Sequence, residues 1–534
     1  MDAKHRKIDQ KVPGGLKSAK MMRMNNQIKI VSATTVGVEA HLVEVEVDLS
    51  FGMLEFHIVG LPDVAIKESR RRIRAALRNT GMQIPERKIT VNLAPADLKK
   101  EGTLFDVPIA LGIIQAAGLI PTPAWFSQAL IVGELSLDGS IRAVKGILPI
   151  ASDAVRHGRS ILIVPAANAA EAAVISGVTV YGVTSLTHLV SWLRNEVVLE
   201  PTAPHLPTAV PNPSTLDLNQ IKGQQAAKRA LQIAAAGRHN LLFIGPPGGG
   251  KTMLAQRLAS LMPAMEPQEI IETSKLYSIS GKLVGRPLIT ERPFRAPHHT
   301  ITSAGLVGGG VNPQPGDLSL AHHGVLFLDE ITEFKRATLE ALRQPLENKT
   351  VSIARVQNSV TFPAQVLLIA ATNPCPCGFF GDPKRRCLCS PTQVKSYLHK
   401  LSGPLLDRID LQVAVQAVSY EALKVDPAQE ISSAQVLSAI ARAVERQRAR
   451  SATPVYNHAL APAAVEKFCT LSAPAEQLVK QAFERLGLTM RGYHKLLKVA
   501  RTIADLADMD TIEVAHVQEA LLYRSLDQYL QRTS

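Results

Sequence analysis

Long apolar runs are missing from this chain of 534 residues. The best candidate, residues 104–120, is interrupted by Asp106, Pro108 and Gln115, so no membrane span is expected. No secretory apolar segment follows the first Met, and a cytoplasmic setting is expected. Cysteine is scarce. Five in the whole chain make no disulfide framework and suit a reducing compartment. Aromatic residues reach only 4%, which disfavours a nucleic-acid reader built on base-stacking platforms. Acidic residues are too few to balance the basic ones. Lys+Arg of 59 against Asp+Glu of 46 leaves +13, which favours a polyanionic partner, nucleic acid before membrane. No internal repeat of about 20–50 residues is present, which excludes a solenoid. What remains is a globular composition, 46% hydrophobic and 20% charged, so wholesale disorder is excluded.

Composition and periodicity divide the chain. Residues 1–26 carry Lys4, Arg6, Lys7, Lys11, Lys17, Lys20 and Arg23 against Asp2 and Asp9, with no apolar period, and read as a disordered basic arm. Met21, Met22 and Met24 offer alternative starts. Residues 27–198 read as one α/β domain. In it, residues 42–48 alternate Val with Glu or Asp, a strand with one wet face. Pro62-Asp63 opens a helix closed by Gly81 and bearing Arg70, Arg71, Arg72, Arg74 and Arg78. Residues 107–117 suit a buried helix. Asp138-Gly139 suits a hairpin turn between strands at 129–135 and 141–144. Pro201, Pro204, Pro207, Pro211 and Pro213 mark 199–215 as a stiff linker. A second α/β block spans 216–425, and 426–534 reads as helical. The fold class is α/β multidomain.

The strongest chemical signal follows the short apolar strand at 240–244. Gly245-Pro246-Pro247-Gly248-Gly249-Gly250-Lys251-Thr252 is a phosphate-binding loop in strand–loop–helix context. Glycines let backbone N–H groups turn onto phosphate oxygens, and the helix N-terminus adds its field. Lys251 is expected to reach the β/γ-phosphates of ATP and Thr252 to hold Mg²⁺. A second buried strand, 325–328, ends in Asp329-Glu330. Asp329 is expected in the Mg²⁺ shell and Glu330 to polarise the attacking water. A third apolar strand ends at Asn373, which can position that water. Arg408, just before the strand at 409–415, is placed to reach a neighbouring subunit's γ-phosphate. Arg491 is expected to close over the same phosphate from within its own chain. An ordinary surface ion pair is the alternative for both arginines.

These motifs resemble those of AAA+ ATPases of the helix-2-insert branch, and most closely the magnesium-chelatase-like ComM/YifB family. The resemblance covers essentially everything from Asn26 onward. It is carried by VGLPD at 59–63, VNLAP at 91–95, GQ at 223–224, APHHT at 296–300, SLAHHGVLFLDE at 319–330, NPCPCG at 373–378 and SGPLLDRID at 402–410. It implies an N-terminal domain of Lon-protease/S5-like fold, an AAA+ core and a C-terminal helical lid. It further implies a homo-hexameric, ATP-dependent motor on single-stranded, forked or branched DNA, working with recombination machinery. In this family the implied task is branch migration during natural transformation. By position, Lys251 and Thr252 fall in Walker A, Asp329 and Glu330 in Walker B, Asn373 at sensor 1, Arg408 at the arginine finger and Arg491 at sensor 2.

The resemblance also implies two pore elements: an insert within 294–317, rich in glycine, and a hairpin at 351–362. Lys349 and Arg355 are the expected DNA-contacting cations of that hairpin, through phosphates and without sequence preference. A merely solvated hairpin face is the alternative. His298-His299 and His322-His323 are expected to be packing histidines. Cys375, Cys377, Cys387 and Cys389 fall within 15 residues as two C-x-C pairs. They offer either a structural tetrahedral Zn²⁺ site or four reduced thiols. Where a Lon-type Ser–Lys dyad would stand, Asp106 and Leu148 fall near the two positions. A non-catalytic domain is therefore expected, with Thr103 and Lys145 as the residues a protease reading would need. Its arginine helix is either a polyanion contact or a solvated basic face. The competing functions are a magnesium-chelatase motor subunit, an ATP-dependent protease and a non-enzymatic DNA scaffold.

Overall fold

A computed structural model describes residues 28–53, 55–82, 87–204, 217–283, 286–310, 312–354, 359–382, 385–418, 424, 430–450 and 455–524. The basic arm, Arg355 and most of the proline-rich linker lie outside the described residues.

The first part is built on β1 (Ile28–Val36), β2 (Glu39–Ser50), β3 (Phe56–Val59), α1 (Val64–Asn79), β4 (Lys88–Ala94) and α2 (Asp106–Ala116). Then come β5 (Ala129–Ile131), β6 (Glu134–Leu135), β7 (Ile141–Arg142), α3 (Ile147–Arg156), β8 (Ile161–Pro165), α4 (Ala166–Ala172), β9 (Thr179–Val183) and α5 (Leu186–Leu193). A mixed sheet in the order β1-β2-β4-β3 and a parallel sheet β5-β8-β9 share one core with α2. The alternation in β2 does what its period requires: Val43, Val45 and Val47 are buried and Glu44 and Asp48 face water. Asp63 caps α1 by accepting from the Ile66 amide at 2.8 Å and also accepts from the Gly102 amide at 3.0 Å. The Asp138-Gly139 turn forms, but its hairpin has two-residue arms, β6 and β7. Residues 129–131 are drawn off to pair in parallel with β8, so the expected strand at 129–135 is two strands.

The second part holds α6 (Gln225–Gly237), β10 (Leu241–Ile244), α7 (Lys251–Leu261), α8 (Pro267–Ile279), β11 (Phe294–Arg295), α9 (Ser303–Val307), β12 (Gly308–Gly309), β13 (Gln314–Pro315), α10 (Asp317–Leu320) and β14 (Val325–Leu328). It continues through α11 (Arg336–Glu340), α12 (Arg343–Asn348), β15 (Thr350–Ala354), β16 (Ser359–Pro363), β17 (Leu367–Thr372), α13 (Pro391–Leu398), α14 (Gly403–Leu406) and β18 (Leu411–Ala414). Five strands form one parallel sheet in the order β11-β14-β17-β10-β18. Such a sheet is covered on both faces, which is why its strands read as unbroken apolar runs. Helices Ser433–Ala449, Pro462–Phe468, Ala473–Leu486, Met490–Leu506 and Val514–Leu522 follow. Through α6 they share a single core with one face of the sheet.

The two parts are joined at α8. The Gly146 amide donates to Ser278 O at 3.2 Å, and Ser278 Oγ donates to Glu171 at 2.5 Å. Leu148 is buried among Met265, Ile270 and Leu288. The β1–β2 turn meets hairpin β15–β16 closely: a Cβ on Gly37 would come within 2.8 Å of Val360 Cγ1.

Candidate nucleotide site

The loop after β10 leaves the sheet beside β18 with no room for a side chain, since a Cβ on Gly245 would lie 2.1 Å from Val415 O. Gly248 and Gly250 adopt positive φ, and α7 starts at Lys251. The Lys251 ammonium donates to Gly245 O at 2.7 Å, Pro246 O at 2.9 Å and Asn373 Oδ1 at 3.1 Å. Burial pulls this lysine below its ordinary pKa, and Asp329 and Glu330 offset only part of that. Thr252 Oγ1 donates to Asp329 Oδ2 at 2.7 Å, while Asp329 Oδ1 accepts from the Glu330 amide at 2.9 Å. Glu330 is held at φ 48°, a left-handed conformation that costs energy outside glycine and concentrates at working sites. Three strand ends, β10, β14 and β17, thus bring Lys251, Thr252, Asp329, Glu330 and Asn373 to one edge of the sheet. A hydroxyl, two carboxylates, an amide and an ammonium around a glycine loop can hold a triphosphate with its divalent cation.

The two arginines lie elsewhere. Arg408 precedes β18, where its carbonyl accepts from Asn240 Nδ2 at 2.7 Å. Asn240 stands at the start of β10, whereas the phosphate loop follows its end. Four strand residues separate the two, about 13 Å. Arg408 donates to Arg343 O at 3.0 Å and pairs with Glu347. Arg491 donates to the other Glu347 oxygen at 3.1 Å. The expectation that Arg491 closes over the phosphate of its own chain is not met in this structure, where its guanidinium joins Arg408 at Glu347 and Lys495 of the same helix donates to Ile409 O at 3.0 Å, just before β18. Lys349 is half-buried, and burial followed by repulsion from Arg238 lowers its pKa.

Three consecutive segments match the magnesium chelatase family descriptions: "Subunit ChlI of Mg-chelatase" at residues 45–168, "Magnesium chelatase, subunit ChlI" at 217–423 and "Magnesium chelatase, subunit ChlI C-terminal" at 430–524. The competence protein ComM of Haemophilus influenzae is 43% identical over 508 residues, 95% of this chain and 99% of that protein. The chain belongs to the magnesium-chelatase-like ComM/YifB family. The YifB protein of Salmonella typhimurium is 41% identical over 498 residues, 93% of this chain and 96% of its own length. A probable DNA helicase MCM9 of Arabidopsis thaliana is 26% identical over 181 residues, 33% of this chain and 22% of that protein.

Several features of this ComM/YifB chain escaped the sequence reading. Glu347 is the shared anchor of both arginines. His299, expected to be a packing residue, places Nδ1 4.0 Å from Glu330 Oε2. His322 and His323 do pack. His322 Nδ1 accepts from the Gln365 amide, which leaves the proton on Nε2, facing Glu272. His323 lies between Glu272 and Glu269. Glu272, His322 and His323 thus form a largely buried polar cluster against α8.

In the first part, Asp106 is buried and paired with Arg72 at 2.8 Å. Burial raises its pKa despite Arg72. Thr103 donates to Glu134, and Lys145 packs over Gly281. Arg72 is thus withdrawn from the basic face of α1. The four cysteines Cys375, Cys377, Cys387 and Cys389 converge, a donor set that can bind zinc.

Proposed function

We propose that this chain is an ATP-hydrolysing subunit of a closed ring, a hexamer, that drives DNA strands through branched recombination intermediates. The observation that carries the reading is the division of the sheet. Every group a triphosphate needs stands at one edge, and both arginines stand at the other, out of reach of their own site. Head-to-tail association supplies the pair from a neighbour and closes into a ring. In this reading Lys251 binds the β/γ-phosphates, Thr252 and Asp329 hold Mg²⁺, Glu330 orients water and Asn373 positions it. Mg²⁺, when bound, neutralises phosphate charge. Arg408 and Arg491 of one subunit then stabilise the charge developing on the phosphate held by the next. The domains are 27–198, of Lon-protease-like fold and non-catalytic, 216–425 as the AAA+ core, and 426–534 as its helical partner. Structural zinc on the four cysteines belongs to the same reading.

The DNA assignment rests on the name of the competence relative, on the helicase resemblance and on the excess of 13 positive charges. Phosphate contacts make such binding salt-sensitive and sequence-blind. The decisive experiment mixes two inactive proteins, Lys251→Ala and Arg408→Ala. Mixed rings regain hydrolysis only if the site is shared between subunits, and no recovery at any ratio overturns the reading. A magnesium-chelatase motor is the second reading, favoured by the three family descriptions. It predicts a hydrolysis rate indifferent to forked DNA. A Lon-type protease is disfavoured by the dyad positions, because Leu148 is buried against the second domain and Asp106 is tied to Arg72.

A further inference from the structure

Four thiols meet beside the phosphate loop. The Sγ of Cys375 lies 3.3 Å from that of Cys377 and 3.7 Å from that of Cys387, and Cys377 and Cys387 are 3.6 Å apart. With Zn–S near 2.3 Å, the edge of a thiolate tetrahedron is about 3.8 Å. Cys389 completes the set, with all four sulfurs within 4.8 Å of one another. An all-sulfur set of four leaves no open coordination position, which suits a closed structural centre.

The loop that carries these thiols touches the nucleotide site at three points. Cys375 follows Asn373 by two residues, with Pro374 and Pro376 stiffening the connection. At its crest, Gly378 rests on the phosphate loop, and a Cβ there would come within 2.7 Å of Pro247 Cδ. At its far end, Cys389 leads into α13, whose Tyr397 hydroxyl accepts from Thr332 Oγ1 at 2.6 Å. Thr332 sits two residues beyond Glu330 and 3.2 Å from Thr372 Oγ1. One knot of four sulfurs thus fastens segments that carry Asn373, press on Pro247 and brace the turn after Glu330.

We infer that a tetrathiolate metal, zinc by its donor set, is the positioning element of the nucleotide site. It holds the loop so that Asn373 meets Lys251 and Pro247 keeps its place, and losing it weakens nucleotide binding as well as turnover. This rests on the ATP-binding and zinc readings above. The cysteines touch neither nucleotide nor water, so they position rather than catalyse.

The test uses the full chain, with metal content by elemental analysis, ATP affinity by titration and folding by circular dichroism. The wild type is expected to carry about one zinc per chain. Cys377→Ser and Cys387→Ser should lose it and weaken ATP binding by about tenfold or more. Gly378→Ala should keep zinc yet still bind ATP more weakly, because its Cβ collides with Pro247. Zinc stripped by chelation and then restored should lower and recover affinity without any substitution. A wild type that binds ATP but takes up no zinc overturns the metal and leaves the ATPase reading intact. Unchanged affinity in zinc-stripped protein overturns the coupling alone. A zinc-loaded wild type that binds no ATP overturns the nucleotide reading, and this inference with it.

Discussion

The two edges of the five-stranded sheet differ in how their charges are held. At the phosphate-loop edge, Lys251 is buried, donates three hydrogen bonds and sits among groups on three strand ends. At the other edge, Arg408 and Arg491 share the half-exposed carboxylate of Glu347. Arg408 is itself mostly buried and also donates to Arg343 O and Pro404 O, whereas Arg491 is half-exposed, and an exposed ion pair of its kind contributes about 0–1 kcal/mol. The first edge is a preformed cradle, and the second gathers two guanidinium groups on one surface carboxylate. Binding and chemistry should accordingly respond to different residues.

That contrast sets the order of the tests. Lys251→Ala should abolish both ATP binding and hydrolysis, measured by titration and by phosphate release. Arg408→Ala should leave binding within about twofold but cut turnover by about a thousandfold. Equal loss of affinity in both variants would erase the distinction between the edges. His299→Ala should slow turnover by about tenfold, with affinity kept, by freeing Glu330 from its neighbour. Glu347→Gln should cost no more than about 1 kcal/mol in thermal unfolding and leave turnover at or above wild type. A large loss of activity there would mean that the arginines work where they stand. The smallest effect concerns Glu269, between Arg238 at 2.7 Å and Arg292 at 2.9 Å. Burial favours its proton, but Arg292 and Arg238 outweigh burial and hold its pKa at about 2, against an ordinary 4.5. A depressed carboxylate stabilises the fold above its unfolded pKa and loses that contribution as pH falls through the folded one. The melting temperature should therefore drop between about pH 4.5 and pH 2, and less steeply in Glu269→Gln.

How much of this was legible depended on whether partners are neighbours in sequence. The phosphate loop, Asp329-Glu330 and Asn373 each sit where an apolar strand ends, so periodicity located them and the parallel sheet brought them together. Arg491 was not readable in this way, because Glu347 stands 144 residues before it and the packing of the helices on α6 decides where it points. The same holds for Lys349, exposed by its hairpin's alternation and half-buried by elements far along the chain. The turn at Asp138-Gly139 was correctly read from local chemistry. The fate of the strand before it was not, since pairing with β8 is a non-local choice. Alternating valines placed β2, whereas the histidine pairs gave no hint that His299 faces Glu330 while His322 and His323 face α8.

One contact near the chain's beginning reaches far. Gly37 lies against Val360 of β16, and β17 starts four residues after that strand ends. The other end of β17 carries Asn373 to the Lys251 ammonium. The first domain and the glycine loop thus sit at opposite ends of one continuous hairpin-and-strand segment.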